Sequence, residues 1–227
     1  MFCANRHYEL LVRPKNRTAA DEYYHQGNVW IEGRENNDYS IELRNHTATP
    51  AEFVVSVDGL DVLQGQPAGA HSPGFIVPAF GITVVQGWNI NNQQAAAFLF
   101  SRKSTSYVNQ IGGSTTNTGV IGAMVFAQKP PVLVARTPWM QNALVASSFS
   151  GSLGTGFGET VNQNLVPARF EKATPHAPQA ILAVYYNTAK NLEKMGIKLR
   201  RRRDVSYQAD PFPAYQSGCK PPPGWNG

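Results

Sequence analysis

Two aspartates stand three positions apart in the stretch Val57-Asp58-Gly59-Leu60-Asp61. Paired carboxylates serve general acid–base chemistry when a fold holds them a few ångströms apart. The same residues are also turn chemistry, since Gly takes positive φ without steric cost and Asp caps its own turn. The turn reading is preferred, because the pair flanks Gly59-Leu60 between two apolar runs. Ser56 lies inside a strand-like run, and no G-x-S-x-G elbow surrounds it. Residues 153–159 (LGTGFGE) space their glycines G-x-G-x-G rather than as a kinase loop does, and no GxxxxGK[ST] motif exists. A structural Gly-rich loop is expected there instead of a phosphate cradle. His7, His25, His46, His71 and His176 are scattered, with no HxH or HExxH spacing that would converge on a metal. Cys3 and Cys219 form no CxxC; two free thiols are preferred over a disulfide joining the termini, and as a nucleophile either would sit in a terminal arm, poorly held for catalysis. No catalytic residue, cofactor or metal is expected.

The charged residues point to contact rather than turnover. Net charge is +5, and the run Lys198, Arg200, Arg201, Arg202 and Arg203 accounts for that whole excess. No broad basic face is therefore implied. The run lacks interleaved aromatics, which favours an acidic groove on a partner protein over a nucleic-acid surface. Charged residues make up 15% of the chain, below the usual share of about a quarter. Trp30 and Trp88 sit in or beside strand-like runs and are expected in the core. Trp139, Tyr215 and Trp225 lie in irregular segments and are expected to anchor an interface.

The elements that would position these residues are short and extended. In residues 52–65 (EFVVSVDGLDVLQG), Phe53, Val55 and Val57 share one face, Asp58-Gly59 reverses the chain, and Leu60, Val62 and Leu63 restart the apolar run. Similar runs occur at 7–13, 29–31, 39–44, 75–77, 82–88, 95–101, 119–128 and 132–136, with late strands expected at 168–173 and 179–186. Residues 102–118 read as an exposed polar loop. Before residue 187 no amphipathic helix is evident. Asn187 then caps a short helix over 188–195, closed by Gly196. Short strands between Gly, Pro and Asn turns predict an all-β, jelly-roll-like sandwich. Its core is placed at 1–136, with 137–196 completing the same domain. Residues 197–227, basic and then rich in proline, form an extended docking arm. No apolar run is long enough for a secretion signal or a membrane span, so a soluble product made in the cytoplasm is expected.

Several phrases together resemble a known family. VSVDGLDVLQG at 55–65, SYVNQIG at 106–112, NTGVIGAMVFA at 117–127, LGTGFGE at 153–159, YYNTAKNLEKMGI at 185–197, then DPFPAY and CKPPPGW, resemble a β-sandwich domain of tailed-phage and prophage-type bacterial proteins. The resemblance covers roughly residues 38–225 and carries no active-site residue. It implies a non-enzymatic virion structural protein, foremost a capsid decoration or cement protein made in the host cytoplasm. The expected partners are the major capsid protein or other virion proteins, with the chain a homo-oligomer or present in many copies in an assembly; nucleic acid and membrane are not expected partners. The alternatives are a collar, tail or fibre-attachment part, or a carbohydrate- or receptor-binding sandwich. A hydrolase built from distant carboxylates is a further rival.

Overall fold

The computed structural model describes residues 3–4, 7–130 and 152–200. In chain order its strands are β1 (Cys3–Ala4), β2 (Tyr8–Pro14), β3 (Glu22–His25), β4 (Asn28–Glu32), β5 (Asp38–Asn45), β6 (Ala51–Val57) and β7 (Leu60–Asp61). There follow β8 (Phe75–Val77), β9 (Ile82–Val85), β10 (Gly87–Asn91), β11 (Gln94–Arg102), β12 (Val120–Ala127), β13 (Leu153–Asn162) and β14 (Ala180–Asn187). Two short helices, α1 (Tyr107–Gln110) and α2 (Ala189–Lys194), complete the set with two 3-10 turns.

The strands form two sheets. The first runs β1-β2-β5-β11-β10, with β13 on the far side of β11 and β9 alongside β5. The second runs β3-β4-β14-β12-β6-β7, with β8 beside β6. Pairing is antiparallel except between β14 and β4, where Val184 to Asn187 lie in parallel register with Val29 to Glu32. β9 and β10 are two halves of one bent path: the first half pairs β5 and the second pairs β11. Gly87 opens the second half. A Cβ there would lie 1.9 Å from the Ala96 carbonyl oxygen, so no side chain fits this approach.

Alternation decides what each sheet buries. Leu10, Ile41, Leu43, Phe98 and Phe100 of the first sheet meet Phe53, Val55, Val57, Ile121 and Val184 of the second in one core. Rings tie the layers together, with Tyr39 stacked 4.3 Å from Phe100 and Phe100 5.2 Å from Tyr186. Trp88 is in this core, as its strand position predicts. Trp30 is buried elsewhere, with Tyr23, Leu192 and Ile197 on the outer face of the second sheet beneath α2.

The two-sheet sandwich agrees with the expected class, and several local expectations do not hold. Residues 153–158, read as a loop, begin the ten-residue strand β13. Residues 168–173 form no strand and contribute only the bridge of Lys172 to Gln128. The 102–118 loop contains α1, whose Val108 is buried. Asn187 ends β14 and Thr188 is the N-cap of α2, accepting from the Asn191 N–H at 3.4 Å. Gly196 does close the helix, at φ +88°. The strand expected at 132–136 lies outside the described residues.

Candidate functional site

The β6–β7 reversal has both central residues at positive φ, Asp58 at 53° and Gly59 at 83°, as a two-residue hairpin requires. That conformation turns the Asp58 carboxylate inward, where the residue is 2% exposed. Its Oδ1 accepts from the Gly119 N–H at 2.8 Å and the Tyr186 hydroxyl at 2.6 Å. Its Oδ2 accepts from the Thr155 N–H at 2.6 Å. Thr155 Oγ1 lies 2.7 Å from both the Tyr186 and the Tyr39 hydroxyl oxygens. Each hydroxyl has one proton, so the ionised carboxylate sets a direction. Tyr186 donates to Asp58, Thr155 to Tyr186, and Tyr39 to Thr155.

This chain of hydroxyls joins four segments remote in sequence without a cation. Burial pushes the Asp58 carboxyl up to about 6, against the downward pull of the Tyr186, Thr155 and Gly119 hydrogen bonds. Burial, reinforced by the Asp58 charge, also holds Tyr39 and Tyr186 well above the ordinary phenol range, so both remain donors. Gly154 makes the packing possible. A Cβ there would lie 2.6 Å from Ser106 Cβ and 3.2 Å from Asp58 Oδ2. The glycines of residues 153–159 thus serve close approach. Asp61, fully buried, accepts from the Leu63 N–H at 2.8 Å within its own hairpin, and burial raises its carboxyl too. Both aspartates act as turn and packing acceptors.

Beside Asp58 an end cleft of 490 Å³ opens between residues 58–67 and 107–117. Tyr107, 4.8 Å from Trp88 and 5.1 Å from Phe157, presses its hydroxyl end against Gly65. A second depression of 630 Å³ is lined with charge, including Glu52, Lys129, Glu171 and Lys172. Lys172 donates to the Ala70 carbonyl at 2.7 Å, lies 3.6 Å from Glu52, and sits 4.0 Å above the Phe126 ring. The fold brings His71 and His176 to 4.9 Å at this rim. Among the described residues, no group of three or more His, Cys, Asp or Glu side chains is placed to hold a metal ion.

The outer face of the first sheet is different again. Glu42, 3% exposed, accepts from Arg44 at 2.7 Å and pairs with Arg13 at 2.6 Å. Arg44 continues to Glu9 at 3.4 Å, and Glu9 to His46 at 3.2 Å. Beside this ladder Val84 is in register with Glu42, and Ile82 with Arg44. Phe80, Ile82 and Val84 are 72%, 57% and 39% exposed.

Of the expected docking residues, Lys198 and Arg200 are exposed at the end of the described chain. Their segment is seated on the sandwich: Ile197 is buried, Leu199 packs against the Tyr23–Trp30 cluster, and the Arg200 N–H donates to Tyr23 Oη at 3.1 Å. Arg201, Arg202, Arg203, Trp139, Tyr215, Trp225 and Cys219 lie outside the described residues. The residues that sequence reasoning missed are Tyr39, Thr155 and Tyr186. Tyr39 carried a usable signal, because its inward position in an alternating strand obliges a buried hydroxyl to find a partner.

No protein-family model, no curated protein and no solved structure matches this chain.

Proposed function

We propose that this chain is a non-enzymatic virion structural protein of a tailed phage, a decoration or cement protein that stabilises a shell by contacts across subunits. The observation that carries the reading is the outward row Phe80, Ile82 and Val84, three large apolar side chains on a stiff sandwich face. Covering each of them removes apolar area worth about 1 kcal/mol or more from water. A shell that binds such a face gains stability by linkage to the bound state. The resemblance drawn from residues 38–225 points the same way, and so does the engagement of both Asp58 oxygens by groups that pack the sandwich. In this reading the sandwich has jelly-roll connectivity, residues beyond 200 form the Pro-rich docking arm, and the partners are the major capsid protein or other virion proteins. The same row would serve a collar, tail or fibre-attachment position.

The test is incorporation into particles. Phe80→Ser/Ile82→Ser/Val84→Ser is expected to fold and to lose particle occupancy, measured by quantitative mass spectrometry of purified virions. Deleting residues 201–227, which keeps Ile197 and Leu199 in place, is expected to weaken occupancy further. Full occupancy by both variants overturns the reading.

A further inference from the structure

Independently of that reading, we infer that the end cleft between residues 58–67 and 107–117 binds a neutral, hydroxyl-rich ligand the size of one or two sugar rings. Its volume of 490 Å³ falls within the range of roughly 300–1,000 Å³ typical of small-molecule sites. The walls are built to hold their shape. Asp58, Gly59, Gly65 and Gly112 are all in the left-handed region, at φ 53°, 83°, 67° and 73°. Behind them the Asp58 hydrogen bonds fix one wall to β13 and β14. On the other wall the Gly113 N–H closes α1 on the Val108 carbonyl at 2.8 Å.

The lining chemistry selects the ligand class. Gln64, Gln66, Ser114 and Asn117 rim the cleft, and Tyr107 brings a hydroxyl. The carboxamides of Gln64, Gln66 and Asn117 make no hydrogen bond among the described residues, so each offers two donors and an acceptor. Ile111 and Pro67 supply exposed apolar surface between them, over the buried Leu60 and Val108. Among the described residues, no carboxylate other than the buried Asp58, and no lysine, arginine or histidine, lines it. A charged ligand would lose hydration there against no counter-charge. A wholly apolar one would leave the amides and hydroxyls unmatched. A saccharide, with hydroxyls that both donate and accept around a C–H framework, answers both features. The 630 Å³ depression is the contrast, because its lysines and glutamates already pair with one another.

The experiment is saturation-transfer NMR followed by titration calorimetry on the full chain. The probes are glucose, galactose, mannose, N-acetylglucosamine, maltose and lactose, with glucuronate and glucose 6-phosphate as charged comparators. At least one neutral sugar is expected to bind with Kd below about 10 mM, and the charged comparators about tenfold more weakly. Gln66→Ala/Asn117→Ala, at exposed positions, is expected to weaken binding about tenfold, through two lost hydrogen bonds. Ser114→Trp, which fills the cleft, is expected to abolish it, while Lys129→Ala in the other depression leaves it unchanged. Thermal unfolding of each variant separates lost binding from lost fold. The inference is overturned if no neutral sugar binds, if the charged comparators bind equally well, or if binding survives both cleft variants.

Discussion

Asp58 and Glu42 are nearly equally hidden, at 2% and 3% exposure, yet the fold answers their charges in opposite ways. Asp58, between the sheets, receives two backbone N–H groups and a tyrosine hydroxyl, all neutral. Glu42, on an outer face, lies between two guanidiniums that keep about a third of their side-chain surface in water. Neutral dipoles aimed at a carboxylate satisfy its lone pairs but do not cancel its charge, and burial therefore drives Asp58 up to about 6. The lesson concerns position. An interior site reachable only by backbone and hydroxyl groups makes a rigid joint with a titratable centre, whereas a rim site can recruit long cationic side chains that remain hydrated.

The largest effect is expected from removing the interior acceptor. Asp58→Ala leaves the Gly119 and Thr155 amides and the Tyr186 hydroxyl without their partner, at a cost of about 4 kcal/mol at neutral pH. Urea denaturation measures it, and a loss below about 1 kcal/mol would show that the joint is not holding the sheets.

Next comes the pH dependence of that joint. The folded chain holds the Asp58 proton more tightly than the unfolded chain, where the ordinary value is 3.8. The native state therefore binds more protons between about pH 4 and 6, so this stabilising contribution is complete below about pH 4 and is lost as pH rises through about 6. Its full size is on the order of 3 kcal/mol. Comparing wild type with Asp58→Asn isolates it, since the like-signed contribution of Asp61 is common to both. The stability difference in favour of wild type is expected to be greater at pH 4.5 than at pH 7.5. A difference that is constant with pH would refute the assignment.

The smallest effect sharpens the contrast. Glu42→Gln leaves Arg13 and Arg44 with about a third of their side-chain surface in water and Arg44 still near Glu9, and is expected to cost only about 1–2 kcal/mol, between an exposed pair and a fully buried one. Raising the salt concentration should narrow the gap between wild type and this variant, while leaving the Asp58→Ala gap nearly unchanged. Equal salt sensitivity at the two sites would erase the distinction.

Much of the strand pattern was legible because alternation is local. Tyr39, Ile41 and Leu43 point inward as their spacing requires, and Asp58-Gly59 reverses the chain where the dipeptide predicts. β13 was not legible, because Gly and Thr carry little apolar signal, and its strand state comes from β11. A Cβ at Gly158 would lie 2.7 Å from the Ala97 carbonyl oxygen, so the feature that reads as a loop is what admits the pairing. The expected strand at 168–173 failed for the converse reason: a suitable residue pattern found no neighbouring strand beyond one bridge. The contact between His71 and His176, and the parallel pairing of β14 with β4, join residues far apart in the chain. No spacing rule reaches across such separations.

Residue order alone therefore determined the all-β character, the central reversal at Asp58-Gly59 and the inward set of each alternating strand, since these depend on side-chain period and on φ preferences of near neighbours. Tertiary structure alone decided that Asp58 meets Gly119, Thr155 and Tyr186, that a neutral cleft forms beside it, and that Phe80, Ile82 and Val84 stay outside. Those outcomes depend on which strands become neighbours, and that is a property of the whole sandwich: each pairing is favourable only once the others have brought its partner within hydrogen-bonding reach.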